Sequence, residues 1–357
     1  MSTIYEVAKV AGVSAATVSK VINNYPDVSD KTRKKIKKIL EDMKFRPNSD
    51  AQSLATKKTW TLGIIYFEDS NIGLKHPFFS AVIESFKRQS EKHGYSLLFG
   101  SKNNRLKNKT FLEYFRYKKV DGIAVICSNP YEEEVLELIE SEFPVVFIDF
   151  HHNNASTVTS NNYEGCKMAV EYLYNLGHRK IAHITGMKQD NNYISNLREQ
   201  AYVDEMKKLN LDIKEGYIQK GNNFDFQGGY DAMLELLKLK DRPTAVFAAS
   251  DKTAFGAIEA VKSMNLRVPE DISIIGFDDI EACLYTTPKL TTIRQNCDEI
   301  GKKAADILVD EIDGDIKESI SSIIPVQLIV RESCGKIWWN GFIFHNNRYI
   351  DRNKLIF

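Results

Sequence analysis

Apolar residues recur at helical spacing in two short blocks at the start of the chain, with a glycine between them. This spacing predicts two amphipathic helices joined by a tight turn. Thr3 and Glu6 fit a capping box at the first helix, Gly12 supplies the break, and Ser14 is a natural cap for the second helix. The positions expected in the core are Val7, Ala8, Ala11, Val18, Val21 and Ile22.

A third, strongly basic helix is predicted after Ser29, which caps it. Its lysines could contact phosphate or form a solvated face, and the pattern fits both. Residues 47–60 are polar and are interpreted as a hinge or linker, so residues 1–46 form the predicted helix-turn-helix domain. The inward-facing residues of the third helix are Ile36, Ile39, Leu40 and Met43.

From Thr61 onward, apolar runs of strand length alternate with amphipathic helices. Continuous apolar strands separated by helices predict parallel sheets that are covered on both faces. The predicted strands are 61–67, 95–100, 122–127, 144–149, 180–185, 244–249 and 272–277. The predicted helices lie near 78–93, 108–118, 131–141, 162–176, 194–209, 226–239 and 251–264.

Seven strand–helix units are many for one compact sheet, so the pattern predicts two similar α/β lobes. We expect the chain to cross between them near Asn161 and again near Thr291, and a ligand to bind in the cleft at the carboxyl ends of the strands. The predicted two-lobed body spans 61–333. Residues 334–357 are aromatic and basic without a clear period, and are interpreted as an atypical C-terminal tail, either an extension unrelated to the core function or an altered reading frame.

Charge is distributed unevenly, although the net charge of the 357 residues is zero. Residues 1–60 contain 12 of the 48 Lys/Arg and only 6 of the 48 Asp/Glu. A basic head on an acidic body suits a polyanionic partner at the N-terminus and a different ligand elsewhere.

Cysteine usage bears on cofactors and compartment. The five cysteines are scattered without a CxxC pair, which argues against a disulfide framework or a metal site and for reduced thiols. No apolar run approaches the length of a membrane span. We therefore expect a cytoplasmic protein without membrane association, metal or other cofactor.

The second predicted helix presents small, hydroxylic and cationic residues away from its apolar side. Such a face can lie in the major groove of DNA, because nothing on it clashes with bases or repels phosphate. The residues of this face are Ala15, Ala16, Thr17, Ser19 and Lys20.

A series of motifs runs through residues 2–333: TIYEVAKVAGVSAATVSKVIN, VSDKTRKKI, RPN…SLAT, PFF, VDGI, LGHRKIAHITG, RPTAVFAASD, RVPEDISIIGFDD and TPKLTTIRQ. In this order they resemble the lactose-repressor (LacI/GalR) family. The resemblance implies a helix-turn-helix head, a periplasmic-binding-protein-like body of two parallel-sheet lobes, and a homodimer on a pseudo-palindromic operator. It also implies an allosteric, usually repressing, transcription factor controlled by a small molecule in the cleft, most often a sugar.

The resemblance assigns DNA-contacting roles in the head. Ala15, Ala16 and Lys20 stand at base-facing positions, where the alanines suit a thymine methyl and Lys20 suits a guanine edge. Many relatives have Arg at the position of Lys20, and a Lys point charge makes base discrimination softer. The residues at phosphate-contacting positions are Tyr5, Ser14, Thr17, Ser19, Asn23, Ser29 and Thr32. Ser14 and Ser29 also fit a purely capping role.

Leu54 stands where the family inserts a leucine from a hinge helix into the minor groove. Asp50 and Gln52 depart from the family pattern in ways that weaken hinge binding. Ordering such a segment on DNA costs conformational entropy, which makes it a sensible point of regulation.

For the effector, the resemblance points to carboxylates and a guanidinium that grip hydroxyl groups, beside an aromatic ring. A structural role as cap, surface pair or core residue remains the alternative for each position. The implied residues are Phe78, Phe79, Asp149, Arg198, Phe224, Ser250 and Asp278. Ser250 stands where many relatives have Asn. A sugar is the favoured effector class, with purine-type or phosphoprotein-linked control as the alternative.

Two other classes of function fit the chain less well. An enzyme is disfavoured because no HExxH, GxSxG, Walker or GxGxxG motif is present. A transport solute-binding protein would need an export signal and no basic head.

Overall fold

The computed structural model divides into two compact units, Met1–Thr61 and Leu62–Phe357, called here the head and the body. It describes residues 3–22, 25–45, 58–66, 73–100, 109–126, 133–186, 193–316, 318–339, 342–345 and 348–351. Within these residues, no helix combines the length and apolar character needed to cross a membrane.

The head contains α1 (Ile4–Ala11), α2 (Ala15–Ile22) and α3 (Asp30–Asp42). Both halves of the Thr3–Glu6 capping box form at α1. Gly12 ends α1 with φ 67°, a left-handed conformation that glycine adopts without steric cost. The caps at Ser14 and Ser29 also form, so the three predicted helices are confirmed.

The head core contains the residues that the helical spacing selected. Ile22, Ile39, Leu40 and Met43 are partly buried around it. The buried residues of the head core are Val7, Ala8, Ala11, Val18, Val21, Val28 and Ile36.

The body is built from alternating strands and helices, with short 3₁₀ turns at Gly73–Lys75 and Glu281–Leu284. The elements in chain order are β1 (Thr61–Tyr66), α4 (Pro77–Lys92), β2 (Ser96–Phe99), α5 (Phe111–Lys118), β3 (Gly122–Ile126), α6 (Glu133–Glu140), β4 (Val145–Ile148), β5 (Ser156–Ser160), α7 (Asn162–Asn175), β6 (Ile181–Ile184), α8 (Tyr193–Lys208), β7 (Ile218–Gln219), α9 (Phe226–Lys238), β8 (Ala245–Ala248), α10 (Asp251–Ser263), β9 (Ser273–Asp278), β10 (Thr291–Gln295), α11 (Cys297–Asp313), β11 (Ser321–Ile324), β12 (Val326–Ile329), β13 (Trp338–Trp339), β14 (Phe342–His345) and β15 (Arg348–Asp351).

Two sheets of six described strands each define the two lobes. Lobe 1 has the order β11-β5-β4-β3-β1-β2, and lobe 2 has the order β12-β10-β9-β8-β6-β7. The pairings are parallel except between β10 and β12, which run antiparallel, among those whose register is defined. Helices cover both faces of each sheet and bury apolar clusters on each side, as the continuous apolar strands predicted.

In the part of the chain that the structure describes, the backbone passes between the lobes at three places. The crossing predicted near Asn161 lies there, between β5 and α7. The second lies at Asn296, after β10, because Thr291 still pairs with β9 inside lobe 2. The third, at Pro325, was not predicted: it lies between β11 and β12, which belong to different sheets.

The body also extends beyond its predicted end at residue 333. Gly335 N–H donates to Ser273 Oγ (3.0 Å), and Ile337 N–H donates to the carbonyl of Leu176 (2.9 Å). These bonds attach residues 334–337 to lobe 2, at the start of β9 and at the end of α7. The backbone that follows forms a small antiparallel sheet of β13, β14 and β15.

Candidate functional site

The surface of α2 carries the residues predicted to face DNA. Ala16 and Lys20 are exposed, and Ala15, Thr17 and Ser19 are partly exposed. The ammonium group of Lys20 is paired with the carboxylate of Asp27, in the turn that follows α2. Tyr5, on α1, is 75% exposed.

The hydroxyl groups predicted to contact phosphate occur as two matched pairs. Ser14 Oγ lies 2.9 Å from Thr17 Oγ1, and Ser29 Oγ lies 2.9 Å from Thr32 Oγ1. Each serine also accepts the backbone N–H of its threonine partner as a helix cap. Since helix N-termini attract anions, these pairs suit both roles, and capping does not exclude a phosphate contact.

The basic helix α3 contributes two structural cations. Lys35 Nζ donates to the carbonyl of Ala11 (2.9 Å), at the end of α1. Arg33 Nη2 donates to the carbonyl of Tyr25 (2.5 Å) and to that of Val28 (3.5 Å). Lys35 and Arg33 therefore stabilise the head through these hydrogen bonds, and a phosphate contact is not needed to explain their positive charges. Two other predicted DNA contacts, Asn23 and Leu54, lie outside the described residues.

In the body, three charged residues meet where the two lobes face each other. Asp149 follows β4 of lobe 1, whereas Arg198 of α8 and Asp278 at the end of β9 belong to lobe 2. Arg198 Nη1 lies 4.0 Å from Asp278 Oδ1. Burial raises the pKa of both carboxyl groups, and Arg198 opposes the shift in each case. The structure therefore brings the predicted cleft charges together.

Arg198 is held rigidly. Its side chain is 3% exposed, its Nε donates to Asn162 Oδ1 (2.9 Å), and its Nη1 donates to the carbonyl of Ala249 (2.5 Å). Its guanidinium carbon lies 3.7 Å from the ring centroid of Phe277. The same carbon lies 5.7 Å from the ring centroid of Phe224. These contacts fix the orientation of the guanidinium group. Because Asn162 is the first residue of α7, the bond to it also holds the guanidinium next to the crossing between β5 and α7.

The position of the Phe224 ring is set by contacts with Gly186 and Ser250. Its φ of 54° is left-handed, and its N–H donates to the carbonyl of Gly186 (2.6 Å). A Cβ on Gly186 would lie 1.9 Å from Phe224 Cε1, so only glycine leaves room for the ring. Ser250 Oγ donates to the carbonyl of Phe224 (3.1 Å) and caps α10. Ser250 therefore positions the aromatic residue.

The turn after β9 contains a clamp that the sequence did not reveal. Asp278 and Asp279 have φ values of 123° and 58°. The Asp279 carboxylate, 5% exposed, accepts from Arg294 Nε and Arg331 Nη2 at 2.6 Å each. Next to it, Ile280 N–H donates to Asp251 Oδ2 (2.8 Å). A strained turn persists only when its neighbours fix it, and here they hold Asp278 at the cleft.

Gln295 is a second residue that the sequence analysis missed. Its Nε2 donates to Asp278 Oδ1 (2.7 Å), while its Oε1 is buried without a hydrogen-bond donor. Asp149 Oδ1 and Ser160 Oγ are likewise buried and unpartnered. Ser160 and Gln295 end β5 and β10 at two of the lobe crossings. In the sequence, the one sign that these two residues belong to the cleft was the position of a polar side chain at the end of a strand.

The first-lobe aromatic residues contribute mainly to packing. Phe78 and Phe79, 4% and 8% exposed, belong to the core of lobe 1. The ring of Phe79 lies 5.5 Å from that of Tyr66, at the carboxyl end of β1. The described contacts favour the core role for Phe78, while Phe79 and Tyr66 form the aromatic end of the lobe 1 sheet.

His178 and His183 are buried in lobe 2. Burial lowers the pKa of His178 and of His183 to about 4. The ring of His183 stacks between Tyr202 and Phe247. Both are thus neutral packing residues at physiological pH.

Chemically, the cleft combines buried acceptors, a fixed guanidinium and an aromatic ring. Buried acceptors without donors are costly, and a ligand that supplies O–H or N–H groups would satisfy them. The arrangement suits the binding of a small polar molecule with a flat or apolar face.

Comparisons with known proteins fit these features. Residues 3–48 match the sequence model described as bacterial regulatory proteins, lacI family, and residues 170–334 match a periplasmic binding protein-like domain. The HTH-type transcriptional repressor PurR of Edwardsiella ictaluri (strain 93-146) is 36% identical over 339 residues, covering 93% of this chain and 97% of the relative.

Solved structures show the same architecture. The Lac repressor dimer bound to operator and the anti-inducer ONPF is 26% identical, with a TM-score of 0.77, and the match covers 93% of this chain and 98% of that one. A complex of the transcriptional regulator CelR with cellobiose is 26% identical, with a TM-score of 0.69 and coverage of 93% and 100%.

These relatives are transcriptional regulators, which confirms that the chain is not an enzyme. The predicted fold, a helix-turn-helix head with a two-lobed α/β body, is likewise confirmed. The chain belongs to the LacI family of bacterial regulatory proteins and is a DNA-binding transcriptional repressor.

Proposed function

We propose that the repressor binds a pseudo-palindromic operator as a homodimer and that a small molecule in the cleft between the lobes controls its affinity for DNA. In the head, α2 enters the major groove, with Ala15, Ala16 and Lys20 at base edges. The paired hydroxyl groups at the starts of α2 and α3, with Tyr5 and Ser19, hold phosphates. Asn23 is a further proposed phosphate contact, and Leu54 is proposed as the minor-groove wedge.

One observation carries the effector proposal. Buried acceptor oxygens of Asp149 and Gln295 lack donors, and they belong to the same cleft as Arg198 and Phe224. In a folded protein such atoms are normally satisfied. A bound ligand with several hydrogen-bond donors would satisfy them and would bring lobe 1 and lobe 2 together.

We propose a non-sugar effector of the purine type in place of the sugar that the sequence favoured. A flat ring with N–H donors can stack on Phe224 while it donates to Asp278 and Asp149. The similarity to repressors named PurR supports this class. The PurR of Edwardsiella ictaluri is 36% identical over 93% of the chain, whereas the CelR structure is 26% identical over the same share. A sugar remains the competing class, because the CelR structure is a cellobiose complex.

A thermal-shift screen of the full-length protein tests the proposal. One panel contains free purine bases and nucleosides, and the other contains ribose, cellobiose and other sugars. We expect a purine compound to raise the melting temperature, since a ligand that binds only the folded state stabilises it. The same compound should change the affinity for a duplex selected from a random library.

The variant Asp278→Ala should retain operator binding and lose the thermal shift, while Asp231→Ala, an exposed carboxylate on α9, keeps both. A shift with sugars alone would replace the purine class by the sugar class. No shift with either panel would remove the effector proposal.

A further inference from the structure

We propose that Lys20 and Asp27 act as one donor–acceptor unit that reads a G·C base pair, with Asp27 as the residue that orients Lys20. The inference rests on the proposed function in one respect, namely that α2 contacts base edges. Neither the family comparison nor the sequence pattern assigns a role to Asp27.

The contact itself joins the two charged ends. Lys20 Nζ donates to Asp27 Oδ2, and the side chains remain 48% and 51% exposed. The hydrogen bond from Lys20 lowers the pKa of the Asp27 carboxyl, so Asp27 is ionised throughout the physiological range. The pair is therefore accessible to a partner and presents ammonium and carboxylate side by side.

The turn that carries Asp27 is fixed from both sides. Tyr25 N–H donates to the carbonyl of Lys20 (2.9 Å), and Arg33 donates to the carbonyls of Tyr25 and Val28. The Val28 side chain, 9% exposed, belongs to the head core. Because its neighbours are anchored in this way, the Asp27 carboxylate is a preorganised partner for Lys20.

The edge of a G·C pair in the major groove complements this unit. Guanine presents the acceptors N7 and O6, and cytosine presents the N4 amino donor beside them. A lysine alone is a mobile point charge that serves phosphate as well as a base. With one ammonium hydrogen held by Asp27, Lys20 can donate another to guanine, while the second carboxylate oxygen of Asp27 accepts from cytosine N4.

The carboxylate also disfavours alternative placements. Wherever the Lys20 ammonium lies, Asp27 lies beside it, and a contact with backbone phosphate would bring two negative groups together. Asp27 therefore lowers non-specific binding and directs Lys20 to the base edge.

The test compares full-length wild type, Asp27→Asn and Lys20→Gln by selection from a random duplex library, followed by binding to poly(dI–dC) over a range of salt. Asp27→Asn should relax one position of each half-site by roughly 5- to 100-fold, the loss expected for one base-edge contact. It should also steepen the salt dependence on poly(dI–dC) by about one phosphate contact, since Lys20 is released. Asp42→Asn, an exposed carboxylate at the end of α3, controls for the change in net charge.

The outcomes separate this inference from the proposed function. If Lys20→Gln leaves every base preference intact, base reading by Lys20 in the proposed function is wrong. If Lys20→Gln relaxes one position and Asp27→Asn does not, only the unit is overturned. The Lys20–Asp27 unit would also be overturned if Asp42→Asn changed base preference and salt dependence as much as Asp27→Asn does. The same holds if Asp27→Asn has its full effect in a chain that already carries Lys20→Gln.

Discussion

Phe224 and Gly186 are in van der Waals contact so close that a single added carbon would overlap the ring. A Cβ on Gly186 would lie 1.9 Å from Phe224 Cε1 and 2.0 Å from Cζ. Gly186 follows β6, and its carbonyl accepts the Phe224 N–H. The glycine thus sets the position of the aromatic wall of the cleft.

Gly186→Ala should displace Phe224 and lower the stability of the body by about 1–3 kcal/mol, the usual effect of overpacking. Urea unfolding measures the loss. If the clash is the cause, Phe224→Ala in the same chain should restore part of the stability. If the second change restored no stability, the clash with the Phe224 ring would not be the cause of the loss.

The two arginines that bind Asp279 should differ in importance. Arg331 is 11% exposed and also donates to the carbonyl of Leu290 (2.7 Å), whereas Arg294 is 48% exposed. Removal of one partner of a buried ion pair costs on the order of 3 kcal/mol, and solvent reduces that cost at exposed sites. Arg331→Gln should therefore destabilise the body clearly more than Arg294→Gln in chemical denaturation. Equal losses would mean that the clamp does not depend on burial.

The stability of the body should depend on pH through Asp278. Burial raises the pKa of its carboxyl in the folded state, so the folded protein binds this proton more tightly than the unfolded chain does. The stability linked to this group is fully present below the usual Asp range and is lost as the pH rises through the folded-state pKa. Asp278→Asn should thus raise the melting temperature relative to wild type more at about pH 8 than at about pH 5. A difference that is constant with pH would show that the group does not titrate in this way.

The Leu54 wedge is a further expectation that follows from the family. Leu54→Ala should weaken operator binding and reduce DNA bending, because an inserted apolar side chain stabilises the kink. A circular-permutation gel with the selected duplex measures the bend. Bending equal to that of wild type would exclude insertion by Leu54.

The local elements follow from the sequence because their determinants are local. The capping box of α1, the left-handed Gly12 and the apolar strands of the two lobes are each specified by residues within one element or one turn. The cleft charges Asp149, Arg198 and Asp278 could be named because their positions match family motifs at the ends of strands or in one helix.

Other features depend on residues that are far apart in the chain, and only the tertiary structure decided them. The division of β11 and β12 between two sheets, the Asp279 clamp and the orphan oxygen of Gln295 arise where the chain crosses between lobes and long-range contacts meet. No periodicity within one segment encodes such contacts, since each needs partners supplied by another element. The sequence therefore determined that the protein is a regulator with a DNA-binding head and a two-lobed body, and the packing of its lobes decided which side chains form the cleft.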